Sequence, residues 1–375
     1  LESFIRLLRL EGSAPRLEDP AFRGQVFDGV LGIAEWLASA GRPERAAEAC
    51  RLITEMAPAD ARGFLGLGQA ALAAGDLGSA QGAFGRAKDL SPGLAGAWEG
   101  EGRTLLARVA RLPEEGSHSP AGMLELESLL VQGVRSFETA ANLAGGSEAV
   151  RRDLARTLSK LSRLRRRQGL VHEAVTLTTQ AEQELRSAIG DFADSPWARL
   201  DLAASLFARR RYTESIERHR DARLILESLL ASRPADQNRE SWRQAATACR
   251  QNEAAASYNL ALDALNRADF EEAQARIAKA CPDPADQNLC AGFRATAAAE
   301  RDLFEKAVAS LESTLARNPQ SAAPRLELGD LLARFGRWDE ARRQYERLAG
   351  DGTSQVEVRD RLASVAPAPD EKLRF

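Results

Sequence analysis

The sequence predicts an all-α protein made of stacked antiparallel helix pairs, a superhelical solenoid. Three observations lead there. The apolar residues, 44% of 375, are mostly Ala and Leu, which favour helices, while β-branched residues are sparse. Aromatics make up only 6%, too few for large globular cores. Most telling, small and large residues recur at matching offsets in stretches of equal length, the signature of a repeat architecture.

The stretches 61–94, 288–321 and 322–355 show the period best. The first carries Leu67-Gly68, Ala71, Gly75, Ala80, Phe84, Ala87 and Pro92. The last carries Leu328-Gly329, Leu332, Gly336, Ala341 and Tyr345 at the same offsets, and the middle one keeps Ala295, Ala307, Leu311 and Pro319. Small residues such as Gly68 and Ala80 fit where two helices cross closely. A large one such as Phe84 fills the groove against the next unit. The late proline stops the second helix, because it lacks an N–H to donate. A single unit cannot bury its apolar face, so stacking must make the core.

Carried along the chain, the frame gives about eight units. Residues 1–26 form an N-terminal capping segment that opens with an amphipathic stretch (Phe4, Ile5, Leu7, Leu8). Residues 27–147 hold the first three units, the third interrupted by a loop near 112–123. That loop is rich in Pro and Gly, and it either touches a partner or is a mobile surface connection. Residues 148–253 form a stretch of extended helices and basic character, with 239–252 an extra helix or an extension into the next unit. Residues 254–355 hold units six to eight, including a helix pair at 288–321, and 356–375 the end of a capping helix and a disordered tail.

The small-large pattern resembles the tetratricopeptide repeat family. That resemblance implies a right-handed array whose first helices line a concave groove for a protein or peptide. Projected onto this chain, the family's ligand-facing offsets include Glu35, Gln69, Glu99, Arg103, Arg163, Arg166, Arg167, Tyr258, Asn266, Asp330 and Arg334. The family's clamp for a C-terminal carboxylate needs Lys and Asn at set offsets. Here Leu31, Glu35, Leu65 and Gln69 stand there, so that mode is missing.

Charge is uneven. The chain is net −3, yet Arg151 to Arg223 holds 16 Lys/Arg against 10 Asp/Glu, net +6. Its densest part, RRDLARTLSKLSRLRRRQG, buries one leucine stripe and spreads its arginines over the other faces. Cations suit a helix C-terminus and a solvated face. They also suit an acidic partner. Aromatic residues for base stacking are missing there, which argues against nucleic acid.

Nothing in the sequence calls for an enzyme, a small-molecule substrate, a cofactor or a metal. His118, His172 and His219 lie far apart and in no ligand spacing, so each is expected to be solvated or packed. Gly63, Gly66 and Gly68 sit inside a repeat helix with no strand before them, so they form no phosphate loop. Cys281 and Cys290 flank one inter-helix loop and either bridge in an oxidising compartment or stay reduced at helix ends. No run approaches the length of a transmembrane helix. The chain opens at Leu1, as a trimmed or mature form would.

The expected function is therefore a non-enzymatic protein-interaction scaffold or adaptor. Two alternatives stay beside it. Residues 215–250 also resemble long-helix repeats that follow the catalytic domain of bacterial serine/threonine kinases, which implies a regulatory arm of a larger signalling protein. The third reading is a periplasmic or lipid-anchored envelope assembly factor. The Ala- and Arg-rich composition suggests a bacterium, with cytoplasm and periplasm both open and the oligomeric state unspecified.

Overall fold

A computed structural model describes residues 20–112, 119–144, 146–280, 287–350 and 355–364. Among the described residues there are sixteen helices and no strand. The chain divides into two compact units, Leu1–Asp201 and Leu202–Phe375.

Four helix hairpins make up the first unit. They are α1 (Pro20–Ser39) with α2 (Pro43–Met56), α3 (Ala61–Ala74) with α4 (Leu77–Leu90), α5 (Ala95–Arg111) with α6 (Pro120–Ala144), and α7 (Glu148–Arg167) with α8 (Val171–Asp191). Short connections force the two helices of each pair to run antiparallel. The first helix of each hairpin touches the first helix of the next, α1 on α3, α3 on α5 and α5 on α7. Local signals set the helix starts. Asp60 accepts a hydrogen bond from the Arg62 N–H, Asp76 from that of Ser79, and Ser147 from that of Val150. Pro43 opens α2, where no N–H is needed.

The packing rule is aromatic against glycine. Phe84 on α4 is fully buried, and its ring lies over Gly68 of its own hairpin. A Cβ at Gly68 would stand 2.6 Å from that ring, and one at Gly100 of the next hairpin would collide with it as well. Phe137 fills the space at Gly102 in the same way, and Tyr345 that at Gly329. The first core also collects Phe27, Val30, Leu37, Cys50 and Ile53. Gly63, Gly66 and Gly68 are buried inside α3.

Helix α9 (Trp197–Ala208) spans the boundary between the units. The second unit continues with α10 (Tyr212–Ser232), α11 (Arg239–Asn266), α12 (Phe270–Ala280), α13 (Gln287–Arg317), α14 (Ala322–Arg334), α15 (Trp338–Gly350) and α16 (Gln355–Ser364). Residues 239–252 are thus the first half of one 28-residue helix. The helix pair expected at 288–321 is instead a single helix, α13, of 31 residues. The reason lies at the fifteenth position of the unit. Gly41, Gly75 and Gly336 occupy it elsewhere with positive φ, and Arg210 and Ala268 adopt the same left-handed turn at 59° and 54°. Asp302 stands there in α13 and stays helical, so nothing breaks the helix.

The last core gathers Phe304, Leu328, Leu332, Tyr345, Leu348 and Val358, the last contributed by α16. Leu362, also on α16, packs on the same cluster. Cys50 and Cys249 are free and buried, and burial pushes each thiol up to about 11. The amphipathic stretch at 1–11, most of the inserted loop with His118, residues 281–286 of the Cys281–Cys290 stretch and the C-terminal tail lie outside the described residues.

Candidate functional site: the first-helix faces

Arginine–aspartate pairs tie neighbouring first helices together. The Arg62 guanidinium on α3 donates to Asp28 on α1 at 2.9 Å, two residues one repeat period apart. Arg103 on α5 donates to Asp153 on α7 at 3.0 Å. Arg152 on α7 donates to Asp201 on α9 at 2.6 Å, with Arg156 3.9 Å from the same carboxylate. Arg156 also donates to Asp153 at 3.0 Å, and Arg103 pairs with Glu99 at 2.8 Å. Within the first unit the result is a continuous ladder, Glu99–Arg103–Asp153–Arg156–Asp201–Arg152, in which charge alternates at every step.

The second unit repeats the device at its end. Arg361 on α16 donates to both oxygens of Asp330 on α14, at 2.7 and 3.0 Å, and the Tyr345 hydroxyl donates to Asp330 at 2.7 Å. Burial alone would raise the Asp330 pKa, but these hydrogen bonds hold its carboxyl below the usual carboxylate range. Burial and the Asp330 charge push the Tyr345 phenol up.

These pairs redistribute the residues projected onto the groove. Glu35 and Gln69 are exposed on α1 and α3. Glu99 and Arg103 belong to the ladder and serve as inter-helix struts. Asp330 is taken up by Arg361 and Tyr345. The Tyr258 ring packs edge-on against Phe293, 5.4 Å between centroids. Asn266 and Arg334 are exposed at the ends of α11 and α14. Arg163, Arg166 and Arg167 come together at the C-terminal end of α7, all exposed.

The basic helix thus divides into two populations. Arg151 reaches α8, donating to Ser187 at 2.7 Å and lying 3.1 Å from Asp191. Arg152 and Arg156 belong to the ladder. Arg165 lies 2.9 Å from Glu127 on α6 and 3.1 Å from Glu173 on α8. Lys160, Arg163, Arg166 and Arg167 have no carboxylate partner among the described residues. Residues Val150, Leu154, Leu158, Leu161 and Leu164 are buried. At about 100° per residue, the unpaired cations and Arg152 and Arg156 share one arc of about 120°.

The ladder is what sequence reasoning missed. Its one readable sign is that Asp28 and Arg62 sit at the same offset of successive units.

His219, expected to be packed or solvated, is buried on α10. Its Nε2 faces the Asn252 amide at 3.1 Å and its Nδ1 the Ser215 carbonyl at 3.0 Å. With Asn252 donating, the proton sits on Nδ1. Burial pushes its pKa below the ordinary histidine value. His172 is exposed on α8. Among the described residues no group of three His, Cys, Asp or Glu could hold a metal, and no helix is long and apolar enough to cross a membrane.

Two tetratricopeptide repeat family models match the sequence, over residues 31–95 and 298–363. No curated protein matches it. Among solved structures, the chain is similar to a thermophilic TPR protein of Thermus thermophilus. Identity there is 16%, the match covers 58% of this chain and 98% of that one, and the TM-score is 0.42. It is similar to YrrB, described as a TPR protein with an unusual peptide-binding site, at 16% identity over 66% and 97% of the two chains, TM-score 0.40. It is also similar to the APC/C hetero-tetramer Cut9-Hcn1, at 14% identity and TM-score 0.43, spanning 97% of this chain but about half (52%) of that one. Repeats of this family serve as protein–protein interaction scaffolds and are generally non-catalytic. The chain accordingly carries tetratricopeptide repeats at residues 31–95 and 298–363, near both ends of the repeat array.

Proposed function

We propose that this scaffold binds an acidic peptide or protein segment along the first-helix face of its first unit, centred on the C-terminal half of α7. One observation carries the reading. On a helix where Arg151, Arg152, Arg156 and Arg165 are all spent on neighbouring helices, Arg163, Arg166, Arg167 and Lys160 have no carboxylate among the described residues. Three of the cations are exposed and clustered at the helix C-terminus, which favours positive charge and so holds them cheaply. Such a patch attracts a negatively charged partner and speeds its encounter. Lysine and arginine without interleaved aromatics suit carboxylates better than stacked bases.

The test is charge reversal. In the double variant Arg163→Glu/Arg166→Glu, a calorimetric titration with a polyglutamate peptide should show at least tenfold weaker binding, with the far-ultraviolet circular dichroism spectrum unchanged. The wild-type affinity should fall as salt rises. Equal affinity of variant and wild type would remove the reading.

A further inference from the structure

We infer that the acidic segment taken up by α7 is itself a helix, with carboxylates spaced three and four residues apart. This rests on the proposed acidic partner and adds the partner's conformation.

Two observations lead to it. The first is spacing. Lys160, Arg163 and Arg167 follow one another at three and four residues on one stripe of α7, and Arg156 continues that stripe by four in the other direction. At a rise of about 1.5 Å per residue the three free cations stand about 4.5 and 6 Å apart along the axis. A helix laid along the stripe, in either direction, offers carboxylates at the same intervals from positions i, i+3 and i+7 or i, i+4 and i+7. An extended strand offers same-face side chains every 6.6–6.8 Å or so, and by the third contact it has run about 3 Å past the cations.

The second observation is a precedent within the molecule. The N-terminal half of this same stripe already holds a carboxylate presented by a helix. Arg152 and Arg156 grip Asp201 from α9, at 2.6 and 3.9 Å. Arg62 with Asp28 and Arg361 with Asp330 repeat that helix-to-helix geometry elsewhere in the chain. The N-terminal half of the face thus receives a helix carboxylate, and its C-terminal half carries Lys160, Arg163 and Arg167 with no carboxylate among the described residues. Partly buried arginine–carboxylate pairs of this kind gain from fixed, two-pronged geometry, which a pre-formed helix supplies and a mobile strand does not.

The experiment uses the full chain and two synthetic peptides of identical composition, both alanine-based with three glutamates. In one, the glutamates stand at i, i+4 and i+7; in the other they alternate with alanine. Fluorescence anisotropy should give at least tenfold tighter binding of the first peptide. The Arg163→Gln/Arg167→Gln variant should reduce that binding at least tenfold, and its melting curve should match that of the wild type. The comparison of peptides on wild-type protein stands even if the variant is unstable. If both peptides bind alike and both are lost in the variant, the helix inference is wrong while the acidic-partner reading survives. If neither peptide responds to the substitutions, both fall. Tighter binding of a single-stranded oligonucleotide that competes with the peptide would also overturn both.

Discussion

Phe84 shows how tightly single residues are constrained in this array. It is fully buried, and two glycines from successive hairpins face its ring, so either Cβ would meet it. Gly100→Ala should therefore destabilise the first unit by about 1–2 kcal/mol, overpacking outweighing the gain in helix propensity. Urea unfolding would check this, and Phe84→Leu in the same background should restore part of the loss. Arg210 poses the opposite case. It holds a left-handed turn at φ 59° with an exposed side chain, at the position glycine fills in other units. Arg210→Gly should stabilise the protein by about 0.5–1 kcal/mol, read as a higher urea midpoint. For His219, burial lowers the folded pKa below the ordinary 6.5, so the unfolded state binds more protons. Its contribution to stability is then complete above pH 6.5 or so and lost as pH falls below it. The melting temperature should drop between pH 7.5 and 5.5, and it should drop less in His219→Gln.

At the scale of elements, the first helices are held by salt ladders as well as by apolar contacts. Asp153 joins Arg103 and Arg156 while its side chain is 14% exposed. Asp153→Ala should cost about 1 kcal/mol, since it leaves two arginines without a shared partner. Hydrogen exchange should locate the loosening between α5 and α7. How far such elements can be read from sequence differs by mechanism. The hairpins at 61–94 and 322–355 are legible because glycine, aromatic and turn residues recur at fixed offsets. The unbroken α13 reads as a pair because Ala295, Ala307 and Leu311 satisfy the packing pattern, and the missing turn residue at Asp302 is outweighed by them. The basic helix is legible as a charge cluster. Which of its arginines are free is not, because pairing depends on carboxylates such as Glu127, Asp191 and Asp201, many residues away in sequence.

For the whole molecule, a nearly neutral total conceals a division of labour. Some of its charges tie neighbouring helices together, as in the ladder through Asp153 and Asp201, and the cations at the C-terminal end of α7 have no carboxylate partner among the described residues. The two buried thiols acquire a use in this light. Cys50 lies in the first compact unit and Cys249 in the second, and burial keeps both protonated and shielded. Each will react with an alkylating agent only when its own unit opens. A pulse of iodoacetamide followed by peptide mass spectrometry would therefore time the opening of each half separately in the unmodified protein. The acidic ligand should slow alkylation of Cys50 more than that of Cys249. The chain thus carries its own pair of clocks, one per unit, with no residue to engineer.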